Sequence, residues 1–359
     1  MGKHKILFAS SLKPTFDIRT EKLYQSFCND SSYTCHFCGV HSQNNKKKLN
    51  THSWKYNRGL WFRLIINIKY LLLLLRIRPQ TIILNNNDLA LVSIFYKVLF
   101  STKIIYDVQE NLVRNIAYQN VYTGFRKKLY ILLIKITNKS LAQYCTGFLL
   151  AEKCYADELL FIKKKNYLIL ENKFLPQKIK RDKQSLTSPI QLLFSGTITR
   201  TSGIENALVY LDKLNKITPC HLTIIGHTPD KILHNKLKLL THPYILYKGE
   251  TSPLSYHRIN EAIIQSDFGL ICYEITEANK NKIPTKIYEY LANQLPIICQ
   301  KHAIWNEMIT KNSGGIIFSS KLKHSTLQQK FYSDKNTHFA LWDDNIFTAW
   351  FKNFVLNKK

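Results

Sequence analysis

Short apolar runs alternate with polar breaks and helix-spaced stretches along the whole chain. Residues 5–10 (Lys-Ile-Leu-Phe-Ala-Ser) have the length and composition of a buried strand. Residues 11–19 are polar and contain Pro14, and residues 21–27 resume at helical spacing. Strand, loop, helix is how a doubly wound α/β domain opens. The same pattern predicts strands at 81–84, 103–106, 147–150 and 167–170, and helices over 54–78, 89–100 and 125–142. Residues 177–189 are charged and without periodicity, as a linker is. The strand pattern restarts at 190–195 and recurs at 221–226, 245–249, 266–273 and after Pro296, with helices from Glu205, over 255–265 and from Pro284. The 359 residues exceed one ordinary core. We expect two domains, 1–176 and 190–340, followed by a last segment at 341–359.

Charge changes this picture. The formal net charge is +27, and it is lopsided: residues 1–185 hold 31 Lys/Arg against 11 Asp/Glu. Nucleic acid or an anionic membrane surface would explain such a balance. The chain has no RNA-binding signature and no basic helix with heptads, so no nucleic-acid partner is expected and a membrane surface is preferred. Solvated lysines on an ordinary basic protein are the plain alternative. Residues 44–50 form a basic loop, and the helix over 54–78 mixes Trp61, Phe62 and residues 72–75 with Lys55, Arg58, Arg63, Lys69, Arg76 and Arg78. That mixture suits either an interfacial helix or a core helix with a basic outer face. Arg63 and Lys69 interrupt its apolar run, which argues against a membrane span, and the run at 6–9 is too short for a secretory leader. Eight cysteines scattered among apolar neighbours suit a reducing cytosol, and Cys35-His36-Phe37-Cys38 has no partner pair, so no metal is expected.

Candidate chemistry concentrates at 281–298. Pro284 suits a first helical turn, and Ile287, Tyr290 and Leu291 give the following helix one apolar face. The free N–H groups at its start, beside Lys286, suit an anionic phosphate, and the Glu289 carboxylate could accept both hydroxyls of a ribose. The plain alternative is an αβ unit with a surface glutamate. A glycine-bracketed loop runs from Gly196 to Gly203, carries Arg200 and opens a helix, which suits a diphosphate or is a simple βα turn. A polar cluster, Asp107-Val-Gln109-Glu110-Asn111, follows the strand at 103–106, where open parallel sheets bind ligands. No Gly-x-Gly-x-x-Gly follows the first strand, which argues against a nicotinamide dehydrogenase.

The run Pro284-Thr285-Lys286-Ile-Tyr-Glu289-Tyr290-Leu-Ala, then Leu-Pro-Ile-Ile, resembles the donor-binding motif of family 4 glycosyltransferases. Tyr106-Asp107-Val-Gln109-Glu110 resembles that family's Tyr-Asp-x-His-Glu, with Gln109 in place of the histidine. Asn281 stands where the family has a second glutamate, and the family's basic pair in the glycine loop is Thr197 and Ser202 here, leaving Arg200 as the charge. The loop with Asp17 and Arg19 resembles the acceptor-side loop of some members, and residues 147–155 resemble the end of the first domain. The resemblance implies α/β architecture of the GT-B type, two Rossmann-like doubly wound domains facing across a cleft. It implies that the segment 341–359, with Trp342, Phe347, Trp350, Phe351 and Phe354, packs back on the first domain.

It also implies a retaining, metal-independent hexosyltransferase acting on a UDP- or GDP-linked sugar, with no separate cofactor. Gly196, Arg200, Pro284, Thr285 and Lys286 would hold the donor diphosphate and Glu289 its ribose. Gln109 and Asn281 would orient the transferred sugar, and Asp17, Arg19, Asp107, Glu110 and Asn111 would line the cleft or meet the acceptor. A glycan or lipid-linked acceptor, at the cytoplasmic face of the membrane in cell-envelope or capsular polysaccharide synthesis, fits the basic first half. The rivals are a sugar-nucleotide epimerase of related fold and a degenerate GT-B subunit that only binds membrane or a partner.

Overall fold

The computed structural model describes residues 2–41, 50–55, 59–118, 123–175, 186–319, 321–329, 331–332 and 337–356. Most of the basic loop at 44–50, most of the linker at 177–189, and Arg58 lie outside them. The chain divides into two compact units, Met1–Asn172 with Asp343–Lys359, and Lys173–Trp342.

The first unit is built on seven parallel strands: β1 (His4–Pro14), β2 (Tyr33–Val40), β3 (Asn50–Trp54), β4 (Thr81–Leu84), β5 (Lys103–Val108), β6 (Gly147–Leu150) and β7 (Tyr167–Ile169). Their order is β3-β2-β1-β4-β5-β6-β7, so the winding reverses between β1 and β4. Helices α1 (Ile18–Cys28), α2 (Leu60–Ile77), α3 (Ala90–Phe100), α4 (Leu112–Tyr118), α5 (Gly124–Tyr144) and α6 (Tyr155–Glu158) connect them. Strands this uniformly apolar (β4 and β6 are buried along their whole length) are those of a sheet covered on both faces.

The boundaries of two expected elements move, and an edge strand takes the place of one helix start. The expected helix over 54–78 begins at Leu60, and Trp54 ends the strand β3 instead. Pairing decides this: β3 runs parallel to residues 36–40 of β2, and the Trp54 indole donates to the Ser11 carbonyl at 2.8 Å. The strand β1 continues through part of the expected loop to Pro14, past an irregularity between Ala9 and Pro14. Cys35 and Cys38 lie three apart on β2 and therefore project from opposite faces, so that motif is not a pair of ligands. The helix α13 (Asp344–Trp350) and the wider turn that continues it pack on α1, with the Phe27 ring 5.5 Å from Phe347 and 4.9 Å from Phe351.

The second unit has six parallel strands: β8 (Ile190–Thr197), β9 (Cys220–His227), β10 (Ile245–Glu250), β11 (Phe268–Ile271), β12 (Ile297–Cys299) and β13 (Gly315–Ile317). The order β10-β9-β8-β11-β12-β13 reverses between β8 and β11. Its helices include α7 (Ile204–Asn215), α8 (Lys231–Lys238), α9 (Tyr256–Gln265), α10 (Thr285–Ala292), α11 (Ala303–Lys311) and α12 (His324–Leu327). Each unit is thus doubly wound, and each has a switch point at the carboxyl ends of its central strands, where such sheets bind ligands.

Candidate functional site

At the switch point of the second unit, β8 ends in Ser195-Gly196-Thr197 and α10 begins after Pro284, which sits at the N-cap. Gly196 has φ +106°, a left-handed value that glycine adopts freely, and a side chain there would meet the aliphatic stem of Lys286. Lys286 therefore lies directly over the bare glycine backbone. Its ammonium pairs with Glu289 one turn along α10, and the two side chains are only 14% and 10% exposed. Tyr290, the next residue, is fully buried, and its hydroxyl meets the Ser195 hydroxyl at 2.9 Å. Glycine, lysine and glutamate are thus fixed to one another by the packing of α10 on β8.

Glu289 sits among phenols. Burial, and secondly the Glu289 charge, push the Tyr256 hydroxyl far above its usual range. Burial does the same at Tyr273 and Tyr290, with the glutamate again adding to the effect. These rings remain neutral donors at any physiological pH. At the other side of the switch point, Gly203 (φ +88°) caps α7, and a side chain there would strike the Cys272 carbonyl just after β11. The loop between the two glycines is tied down by Glu274 N–H donating to the Thr201 carbonyl at 3.1 Å, and the first turn of α7 by Asn206 donating to the Cys272 carbonyl at 3.0 Å.

The segment leading into α10 is held from α11. His302 Nε2 donates to the Lys280 carbonyl at 3.0 Å, and its Nδ1 accepts from the Trp305 N–H at 3.3 Å. The Trp305 indole donates to the Lys282 carbonyl at 2.7 Å, and the two rings stack with centroids 3.8 Å apart. The exposed Asn281 stands between these two pinned carbonyls. Burial holds the His302 imidazole below its usual pKa, against the opposing effect of its bond to Lys280.

The structure brings Gly196, Lys286 and Glu289 together and leaves Thr285 exposed at the helix start. Arg200 is 73% exposed and turns toward Glu205 at 3.8 Å rather than toward Lys286. In the first unit, Arg19 and Asp107 form a buried pair. The guanidinium donates to both carboxylate oxygens, at 2.8 and 3.2 Å, and to the Leu170 carbonyl at 2.6 Å. Gln109 donates to Asp107 at 2.7 Å and accepts from the Lys13 ammonium. Asp17 caps α1 by accepting from Thr20 N–H at 2.7 Å, and Asn111 accepts from Arg114 N–H at 3.1 Å. Glu110 is exposed and accepts from Asn115 at 3.1 Å. Lys13, Tyr256, Tyr273, His302 and Trp305 were not singled out from the sequence. Only Lys13 and Tyr273 carried a local signal, each following an apolar strand run.

Among solved structures, the chain is similar to a glycosyltransferase from Rickettsia africae ESF-5, with 15% identity, TM-score 0.57 and coverage of 99% of this chain and 96% of that one. It is similar to HepE of Anabaena, solved in complex with UDP-glucose, at 10% identity and TM-score 0.61, covering 98% of this chain and all of that one. The fold is GT-B. A Listeria monocytogenes protein described as a UDP-N-acetylglucosamine 2-epimerase shares this GT-B fold at 9% identity and TM-score 0.57, covering 99% of this chain and 98% of that one. No family model and no curated protein matches the sequence. Among the described residues no cluster of metal-ligating side chains is found, and no helix is long and apolar enough to cross a membrane.

Proposed function

We propose that the protein is a glycosyltransferase that takes a sugar from a nucleotide-sugar to an acceptor hydroxyl. The observation that carries this reading is the Gly196–Lys286–Glu289 arrangement at the switch point of a GT-B second domain. A bare glycine backbone, a lysine and the N-terminus of α10 offer positive potential for a diphosphate, and a carboxylate one turn away offers acceptors for ribose hydroxyls. Lys286 exchanges Glu289 for phosphate when the donor binds, which frees the carboxylate for the ribose. Asn281 and Gln109 orient the sugar, each as an amide that can hydrogen-bond a hydroxyl. Their neutrality favours transfer with retention, the leaving diphosphate taking the acceptor proton.

Lys286 and the helix N-terminus supply the charge that stabilises the leaving group, so activity is expected to survive chelation of divalent metals. In the same reading the donor is UDP- or GDP-linked and a hexose is transferred. The acceptor is a lipid-linked glycan, and the work is cell-envelope or capsular polysaccharide synthesis at the cytoplasmic membrane face. Arg200 reaches the diphosphate only if its side chain turns away from Glu205.

The test is thermal melting against UDP-, GDP-, ADP- and CMP-sugars, with Glu289→Ala alongside. A nucleotide well above its dissociation constant stabilises by roughly 1–3 kcal/mol, a shift of a few degrees. The expected result is a shift with one nucleotide that the variant loses; no shift across the panel contradicts the reading. The likeness to the Listeria protein keeps epimerisation as the second reading. It predicts an epimerised sugar nucleotide formed without any acceptor, and it requires an acid/base pair that the amides of Gln109 and Asn281 do not supply.

A further inference from the structure

We infer that α2, α3 and α5 of the first unit form a face that inserts into the surface of an anionic lipid bilayer. This deepens the proposed function by naming the surface that would bring the enzyme to a lipid-linked acceptor, and it rests on that reading only for its purpose.

The helices are apolar on two sides. On α2, Ile66, Tyr70, Leu74 and Ile77 are buried in the core of the unit. Trp61, Leu64, Ile65, Ile68, Leu72 and Leu75 recur at helical spacing on the other side and are all exposed, Trp61 by 78%. On α3, Leu91, Phe95, Val98 and Leu99 form a second exposed stripe, and Phe100 closes it. On α5, Phe125, Leu129, Leu132, Leu133 and Ile136 form a third, with Phe125 exposed by 78%. The three helices are neighbours, α2 beside α3 and α3 beside α5. Scattered single apolar residues are ordinary on a protein surface, but three adjacent stripes are not.

Charge chooses the occupant. The three helices carry Arg63, Lys69 and Arg76 on α2, Lys97 on α3, and Arg126, Lys127, Lys128, Lys135 and Lys139 on α5, with no acidic residue in any of them. A second copy of this chain would set like charges against each other across an apolar seam, which is unfavourable. Arg63 is engaged by Asp88, Lys97 by Thr146 and Lys127 by the Ala117 carbonyl, and the exposed cations are Lys69, Arg76, Arg126, Lys128, Lys135 and Lys139. An anionic bilayer pairs these six with headgroups while the apolar stripes enter the acyl boundary, as interfacial helices do. Long basic side chains reach outward from such a position without burying their charge. The neighbouring helix α4 adds the exposed Tyr118, an amphipathic ring suited to the headgroup level.

The experiment is sedimentation of the full chain with vesicles of phosphatidylcholine alone and of phosphatidylcholine with 30% phosphatidylglycerol (about one anionic lipid in three, enough to set a negative surface potential), in low and high salt. Binding to the anionic vesicles, weakened by salt and absent or much weaker on neutral ones, is expected. Each basic residue near such a surface contributes about 1 kcal/mol, roughly fivefold, so Arg126→Ala/Lys128→Ala/Lys135→Ala, all at exposed positions, should weaken binding by roughly a hundredfold. Leu64→Glu/Ile68→Glu/Leu72→Glu should weaken it at least as much while its melting temperature stays near that of the parent. No binding to anionic vesicles, or equal binding to both kinds, overturns the inference. So does a dimer in solution that the glutamate variant dissociates, because the face would then be an interface between copies. Vesicle binding needs no nucleotide, so a failed melting panel and a failed sedimentation are separate outcomes.

Discussion

Each unit of this molecule holds a carboxylate against a cation near the carboxyl end of its sheet, and the two pairs are built differently. In the first unit Arg19 reaches Asp107 through two nitrogens and a backbone carbonyl through a third, and Gln109 donates to the same carboxylate. Asp107 has no exposed surface. In the second unit Lys286 meets Glu289 as a point charge on a flexible stem, with both side chains at the edge of burial. A planar fork with all three nitrogens engaged is architecture. A lysine over a bare glycine is a contact that a phosphate can take over. The outward faces differ as well. Among described side chains, α2, α3 and α5 expose sixteen large apolar residues, whereas α7 to α11 expose only Val209, Ile232 and Ile304. The doubly wound fold fixes only the inward stripe of each helix; the outward stripe is free to suit its surroundings.

The largest expected effect breaks the first pair. Arg19→Ala leaves Asp107 buried without its cation and should lower stability by about 3–5 kcal/mol in denaturant unfolding. Arg19→Met/Asp107→Leu should recover most of that loss, because no charge is then left buried. A small loss in Arg19→Ala would mean that the pair is not structural. Lys286→Met should cost less, about 1–2 kcal/mol for the altered hydrogen bonding at Glu289, yet abolish the nucleotide-dependent melting shift. If it unfolds the protein as Arg19→Ala does, the contrast between the pairs fails.

Acid gives a third handle. His302 is held below its usual value of 6.5 by burial, so the folded state binds its proton less readily than the unfolded one. Its contribution to stability is therefore present above pH 6.5 and lost as pH falls through the lower folded value. Protonation of Nδ1 removes the acceptor for Trp305 N–H and loosens the segment carrying Asn281. Nucleotide affinity should fall between pH 7 and pH 5, and His302→Asn should flatten that profile if this histidine is its cause. The smallest effect is in thiol reactivity. Burial pushes Cys35, Cys38 and Cys145 in the first unit, and Cys220 and Cys299 in the second, up to about 12. Alkylation at pH 8 should label the exposed Cys28 first. In Arg19→Ala the newly labelled thiols should belong to the first unit alone.

Much of the fold was legible because buried parallel strands are short, apolar and punctuated by turns. The run at 190–195 and the run at 103–106 are such strands, and β8 and β5 contain them. The edge strand β3 was not legible: Asn50-Thr-His-Ser-Trp54 has no apolar alternation, and only its pairing with β2 makes it a strand. The helix α11 and the last strand β13 were missed because both are short and weakly patterned. At the site, Lys286 and Glu289 could be read from spacing along one helix. The clamp of His302 and Trp305 on residues 280–282 could not, because it joins two helices through backbone carbonyls that no sequence pattern marks. Arg19 and Asp107 lie 88 residues apart, and nothing local marks them as partners.

The most direct test of the account is hydrogen–deuterium exchange of the full chain with and without millimolar UDP, GDP and ADP. The account predicts that one of these nucleotides protects the backbone at 196–203 and 282–293, with the Arg19–Asp107 region of the first unit unchanged. Protection confined to the first unit, or none with any of the three, would contradict the placing of the donor at Gly196, Lys286 and Glu289.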